Sequence, residues 1–367
     1  MKKNHTRTIA IVVAILAVLV YLQFRSWRSF DWAKFWKYTG GVNLWHIAAA
    51  VALIYLSYVL RAVRWTIFLQ PTKRTSIRRL LAPQFIGFSA LGLFGRAGEF
   101  VRPYLIARKE ELTLESQLAV WTVERAFDLG AVLVLMFTFL VLAGGRIYHI
   151  LLDSVHHGLV GLAHRVQHHV LPAIVAIIAF LLLLRLVQHS SGKLASTFKH
   201  RIDAFKSGFN TIQDLRALIL VAIVSLATWY SIAEAYIQVL HSYPPTTYTL
   251  AQPDGSVETH TANLGKMKLE DVLLLMGGSM FGSVLQLPGG VGGSQLAIVN
   301  LLSSSVFTVE PFNVTPELAL SCGMMLWLVT FMTVIPAGLL FARSERISLR
   351  AVEDESESAE EEIEEKA

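Results

Sequence analysis

The chain has 367 residues, of which 54% are apolar and only 16% charged, with a mean hydropathy of +0.51; that balance lies well off the globular average and makes lipid the solvent. Nine of the 27 acidic residues fall between Glu353 and Glu365, so the rest of the chain carries 31 Lys+Arg against 18 Asp+Glu. Those positive residues fall between long apolar runs rather than on one polar surface, which argues against nucleic acid, while a single cysteine, Cys322, excludes an internal disulfide, a Cys-based zinc site and an iron–sulfur cluster.

A hydrocarbon core of about 30 Å needs about twenty helical residues. Six stretches meet that test. The first, Thr8 to Phe24, follows Lys2, Lys3 and Arg7 and reads as a retained signal anchor. The second is uncharged from Tyr38 to Leu60 and ends in Arg61 and Arg64. The third runs from Gln117 to Leu142 and carries Glu124, Arg125 and Asp128. The fourth lies between Val170 and Val187, the fifth between Leu218 and Leu240 with Glu234 inside it, and the sixth between Leu318 and Ala342.

Two further apolar segments do not fit as simple spans. Leu80 to Gly95 is uncharged for sixteen residues, and Arg96, Gly98, Glu99 and Arg102 follow at once. The return arm to Ala107 is too short and too charged to cross, so Leu80 to Ala107 reads as a re-entrant hairpin. The second segment, Val272 to Val309, is interrupted by Pro288, Gly289, Gly290, Val291, Gly292 and Gly293. It reads either as a second re-entrant hairpin or as two short spans. The expected fold is therefore all-α: a polytopic helical membrane protein with six full spans and two re-entrant helical hairpins, or eight spans if the hairpins cross.

Loop charges test the orientation. With the N-terminus inside, cytoplasmic segments hold 17 Lys+Arg and outside loops hold eight, although Arg25, Arg28, Lys34 and Lys37 crowd one outside loop. Both termini are thus expected in the cytoplasm. The order span, span, hairpin, span then repeats from the opposite face, an inverted repeat with halves at about 1–145 and 170–343. Gly95-Arg96-Ala97-Gly98 and Gly289-Gly290-Val291-Gly292 share a G-x-x-G spacing in the two halves. Paired, Gly-interrupted apolar segments in inverted halves point to a transporter's substrate site. Residues 344–367 form an acidic cytoplasmic tail, expected to be disordered.

Ionisable groups at bilayer depth cost a few kcal/mol each and face a cavity or a partner. Arg96, Glu99 and Arg102 belong to the first hairpin, and Glu124, Arg125 and Asp128 to the next span. On a helix Glu124 and Asp128 share a face, and Arg125 also reaches Asp128. Two readings stay open: a buried ion-pair network that locks hairpin to span, and an anionic headgroup site in which arginines and helix N-termini after glycine-rich tips bind phosphate. Other features read more plainly. His149, His156, His157, His164, His168 and His169 lie in one outer loop, where His164 and His168 have the spacing of a metal pair but no carboxylate or Cys completes a set. Trp45, Tyr55, Tyr58 and Trp65 suit interface anchoring. No metal or cofactor is called for.

Leu91 to Leu135, with Gly98-Glu99, Arg102-Pro103, Glu124-Arg125 and Asp128, resembles the signature region of the lysylphosphatidylglycerol synthase transmembrane family, also called the flippase-like domain family. Leu287 to Gln295 (LPGGVGGSQ) resembles that family's second motif, Pro288-Gly289-Gly290-x-Gly292 with Gly293, where an Arg-Glu pair follows; Ser294 and Gln295 stand at those two positions here. In multidomain relatives the membrane region is thought to carry aminoacylated phosphatidylglycerol across the bilayer, and a soluble domain attaches the amino acid. The longest hydrophilic loop here is about thirty residues, too short for such a domain. The resemblance implies a bacterial cytoplasmic (inner) membrane location. The leading expectation is a translocase for an anionic phospholipid or polyprenyl-phosphate-linked lipid, not an enzyme, with a lipid-modifying or glycosyltransferase partner as a further option. Its site residues are Arg96, Gly98, Glu99, Arg102, Pro103, Glu124, Arg125, Asp128, Pro288, Gly289, Gly290, Gly292, Gly293 and Gln295. The rivals are a membrane-embedded transferase using Glu124 and Asp128 as acid and base, and a scaffold that recruits a partner through its acidic tail.

Overall fold

The computed structural model describes residues 31–156, 215–251, 256–283 and 292–345. The spans expected at Thr8–Phe24 and Val170–Val187, the histidines beyond His156, Pro288, Gly289, Gly290 and the acidic tail lie outside the described residues.

Asp31 caps the first described helix, α1 (Trp32–Gly40), by accepting from the Lys34 amide at 3.1 Å. Asn43 does the same for α2 (Leu44–Leu69), accepting from the Trp45 amide at 2.9 Å. Helix α2 does not stop at Arg61 and Arg64. That corrects the expected span end, and the reason is the chain that follows: Ala62, Trp65, Ile67, Phe68 and Leu69 are all buried apolar residues that continue the packed face. The helix carries both arginines inward with it.

Helices α3 (Ile77–Phe94) and α4 (Val101–Glu110) form a hairpin about a 3₁₀ turn, Gly95–Glu99. Gly95 opens the turn at φ 70°, a conformation that favours glycine. The arms touch backbone to backbone, because a Cβ on Gly98 would collide with the Ala90 carbonyl. Then comes α5 (Leu114–His156), 43 residues that include the whole expected third span. Helix α6 (Leu215–His241) contains the expected fifth span.

The expected all-α class holds for the described residues, with one small addition between Thr246 and Ala262. Strands β1 (Thr246–Ala251) and β2 (Val257–Ala262) pair antiparallel, with Tyr248 opposite His260 and their rings stacked at 5.7 Å. The physical cause is local: TTYTLA and VETHTA are rich in β-branched residues that pack well on a pleated ribbon.

Helices α7 (Leu269–Gly282) and α8 (Gly293–Leu302) pack on one another, and a Cβ on Gly282 would meet the Gly293 carbonyl group. The last helical rod begins at the Thr315 cap and runs as α9 (Pro316–Trp327), a π-helical turn (Leu328–Met332) and α10 (Val334–Ser344). Among the described residues, three rods are long and apolar enough to cross a membrane: Leu44–Leu69, Leu215–His241 and Pro316–Ser344.

Packing places each hairpin against a rod from the other end of the chain. Helix α2 lies along α6; α3 packs on α10; α7 packs on α5; α8 packs on α9, which also holds α1. Small residues allow the α3–α10 approach, since Gly338 faces Ser89 and the Ser89 hydroxyl donates to the Val334 carbonyl at 2.9 Å. The central core draws Tyr236, Leu240, Leu273, Leu275, Leu302, Leu318 and Leu326 from α6 to α9.

Candidate functional site

Six charges converge where α2, α4 and α5 meet. Arg61 and Arg64 lie one turn apart on the face of α2 that looks at α5. Arg102 reaches in from α4 past Gly87 of α3, whose missing side chain is required: a Cβ there would sit 2.5 Å from the Arg102 Cβ. Glu124, Arg125 and Asp128 complete the set from α5.

Arg64 is at the centre and fully buried. Its Nη2 donates to Glu124 Oε1 at 2.5 Å, and its Nη1 donates to Asp128 Oδ1 at 2.7 Å and to Ser225 Oγ of α6 at 2.8 Å. Arg102 takes the other side of Glu124: Nη2 pairs with Oε2, and Nη1 donates to Oε1 and to Gln84 Oε1, both at 3.2 Å. Its guanidinium also lies over the rings of Trp65 (4.6 Å) and Phe88 (5.0 Å). Trp229 of α6 donates its indole N–H to Asp128 Oδ1 at 3.2 Å. Glu124 therefore has a guanidinium on each oxygen.

The remaining two arginines are held more loosely. Arg61 Nη1 lies 3.6 Å from Asp128 Oδ2. Arg125 Nη2 lies 3.3 Å from both Glu124 Oε2 and Asp128 Oδ2, and its side chain is 43% exposed. Four guanidiniums face two carboxylates, so these six residues carry a formal excess of two positive charges. Three buried donors of the cluster, Arg61 Nε, Arg64 Nε and Gln84 Nε2, and one acceptor, Asp128 Oδ2, have no hydrogen-bond partner. Excess charge and unspent donors both favour an added anion.

Beside Arg125 a small cavity of about 40 Å³ is lined by Gly87, Phe88, Leu91, Glu99, Arg102, Trp121 and Arg125. The cavity is small, and Glu99 shares its lining with Arg102 and Arg125. A larger cavity of about 400 Å³ lies between α5 and α6, lined by Ala126, Phe127, Gly130, Ala131, Val134, Ala222 and Leu226. At about 100° per residue those α5 positions point away from Arg125, and the lining offers no charge.

Of the residues singled out from the sequence, Arg102, Glu124, Arg125 and Asp128 are brought into one network, with Glu99 at the mouth of its cavity. Gly98 and Pro103 are buried and shape the hairpin; Pro103 sits early in α4, where a missing N–H costs no helical bond. Arg96 belongs to the turn, and its side chain lies outside what the structure describes. In the second motif Gly292 adopts φ 137°, and Gln295 Oε1 accepts from the Gly292 amide at 2.8 Å, capping α8; Gly293 is the first residue of that helix. Among the described residues no group of three His, Cys, Asp or Glu is placed to hold a metal.

Sequence reasoning missed Arg61, Arg64, Gln84, Ser225 and Trp229. The Arg61-x-x-Arg64 spacing inside an otherwise apolar run was the available signal; the uncharged polar residues carried none.

Helical rods of membrane-crossing length around a dry arginine–carboxylate cluster define an integral membrane protein of the polytopic helical class. Residues 8–250 match the family model of the lysylphosphatidylglycerol synthase TM region, and the chain belongs to that family. The match ends before the second motif at Leu287–Gln295. No curated protein and no solved structure matches the chain.

Proposed function

We propose that this protein is a lipid translocase of a bacterial inner membrane, moving a lipid with an anionic phosphate headgroup, either a phospholipid or a polyprenyl-phosphate-linked carrier. The observation that carries the reading is the formal excess of two positive charges in a cluster whose only half-exposed member, Arg125, borders a cavity. In this reading Arg125 meets the phosphate first, Arg61 supplies the second loosely held guanidinium, and Arg64 and Arg102 hold the carboxylates that keep the site from binding an anion permanently. The acyl or prenyl tails stay in the bilayer. No residue is assigned an acid–base role.

The cross-packing of the hairpins supports an inverted repeat with alternating access. The first hairpin rests on α10 and the second on α5, which are corresponding final rods of the two halves. Rocking one half would open the small cavity toward one leaflet and close it toward the other. The re-entrant reading of both hairpins and the placement of both termini in the cytoplasm belong to this proposal.

The test is reconstitution of purified protein in liposomes carrying fluorescent phosphatidylglycerol, polyprenyl phosphate or phosphatidylcholine, with bleaching by a membrane-impermeant reductant. Faster exchange of an anionic lipid, lost in Arg125→Gln, is the expected result. Equal exchange by parent and Arg125→Gln would remove the phosphate role, and a new lipid product would move the protein to the transferase class.

A further inference from the structure

Helix α1 presents three different faces. Phe35 and Tyr38 are buried, and Thr39 Oγ1 lies 2.8 Å from Ser321 Oγ, so the inner edge is fixed to α9. Trp32 and Trp36, four residues apart, form a second stripe that is 43% and 65% exposed. The stripe continues into the first turn of α2, where Leu44 is 75% and Trp45 85% exposed. Lys34 and Lys37 occupy the remaining arc, roughly 160° and 100° round the helix from Trp36. Asp31 is the acid beside them, 3.5 Å from the Lys34 ammonium.

The position of α1 gives this surface its partner. It leads through Gly41 and Asn43 into the membrane-crossing rod α2, and the Asn43 amide donates to the Ser242 carbonyl just past the end of α6 at 2.7 Å. The helix therefore lies level with the ends of two rods, where bilayer meets water. A short helix there, with exposed tryptophans on one side and lysines on another, has the amphipathic pattern of an interfacial segment. Tryptophan favours that depth, and lysine beside it attracts anionic lipid.

We propose that α1 is a lipid-surface anchor: Trp32, Trp36 and Trp45 sit at the boundary of headgroups and acyl chains, and Lys34 and Lys37 bind the phosphates of anionic phospholipid. This assignment does not depend on the translocase reading.

The experiment places a bimane label on Ala33→Cys, an exposed position between the tryptophan stripe and Lys37; the native Cys322 is buried. The protein is reconstituted in mixed bilayers containing either brominated phosphatidylglycerol or brominated phosphatidylcholine. Quenching by both lipids is expected, stronger with phosphatidylglycerol. Adding Lys34→Gln and Lys37→Gln is expected to lower that preference about fivefold per lysine at low salt, with Phe35 and Tyr38 untouched and the fold retained. Quenching by neither lipid would overturn the anchor. A preference absent from the parent, or undiminished in the double variant, would overturn the phosphate contact.

Discussion

Arg64 on α2 and Glu124 on α5 form an ion pair at 2.5 Å in which neither side chain is exposed. The two residues are sixty positions apart in the chain, and the same guanidinium continues to Asp128 and Ser225. Two charges without water are stable together and costly apart. Arg64→Ala is accordingly expected to lower stability by about 3–5 kcal/mol, since it removes the best-buried partner of both Glu124 and Asp128 and opens a cavity where its side chain packs. Thermal unfolding in detergent checks it. Arg64→Met combined with Glu124→Leu should lose less than the sum of the single changes, and strict additivity would show that the pair is not coupled.

Arg125 should behave in the opposite way. Its side chain is 43% exposed and its ion-pair distances are long, so Arg125→Gln is expected to change stability by less than about 1 kcal/mol. Transport of an anionic lipid is expected to fall at least tenfold. Stability and exchange measured on one preparation separate the two effects.

Gly87 is expected to tolerate no side chain. A Cβ there lies 2.5 Å from the Arg102 Cβ, so Gly87→Ala should push the hairpin arms apart at a cost of about 1–3 kcal/mol. Gly130→Ala is the control, with nothing within 4 Å of its Cβ and a gain in helix propensity of up to about 1 kcal/mol. Unfolding midpoints of opposite sign would support this account, and equal shifts would refute it.

Gln295 Oε1 accepts from the Gly292 amide at 2.8 Å and caps α8. Gln295→Ala removes that acceptor and should cost about 1 kcal/mol, read as a lower unfolding midpoint in detergent. An unchanged midpoint in Gln295→Ala would show that this contact does not hold the start of α8.

Four of the six clustered charges are legible in the sequence, and the other members are hidden for a physical reason. Arg102, Glu124, Arg125 and Asp128 stand out because each lies in or beside an apolar run, which in a membrane demands a partner. Arg61 and Arg64 were read as a span's end because a hydropathy window closes at its first charge. Only the packing of Trp65, Phe68 and Leu69 beyond them shows that the helix continues inward. Gln84, Ser225 and Trp229 are uncharged, and their part in the network is set by which helices meet, a tertiary fact. The β-ribbon leaves only a weak trace in the sequence: TTYTLA and VETHTA are rich in β-branched residues, but each is only six residues long.

The π-helical turn at Leu328–Met332 makes one rod serve two clients. It accommodates an extra residue, so α10 is turned by about 100° from where a regular continuation of α9 would put it. Helix α9 thereby offers its small-residue face to α8 of the second hairpin, and α10 offers Gly338 to α3 of the first. The rod is a crankshaft whose offset throws are keyed to opposite hairpins. Deleting a single residue from the turn would re-phase one throw, separating Gly338 from Ser89 while leaving α9 seated.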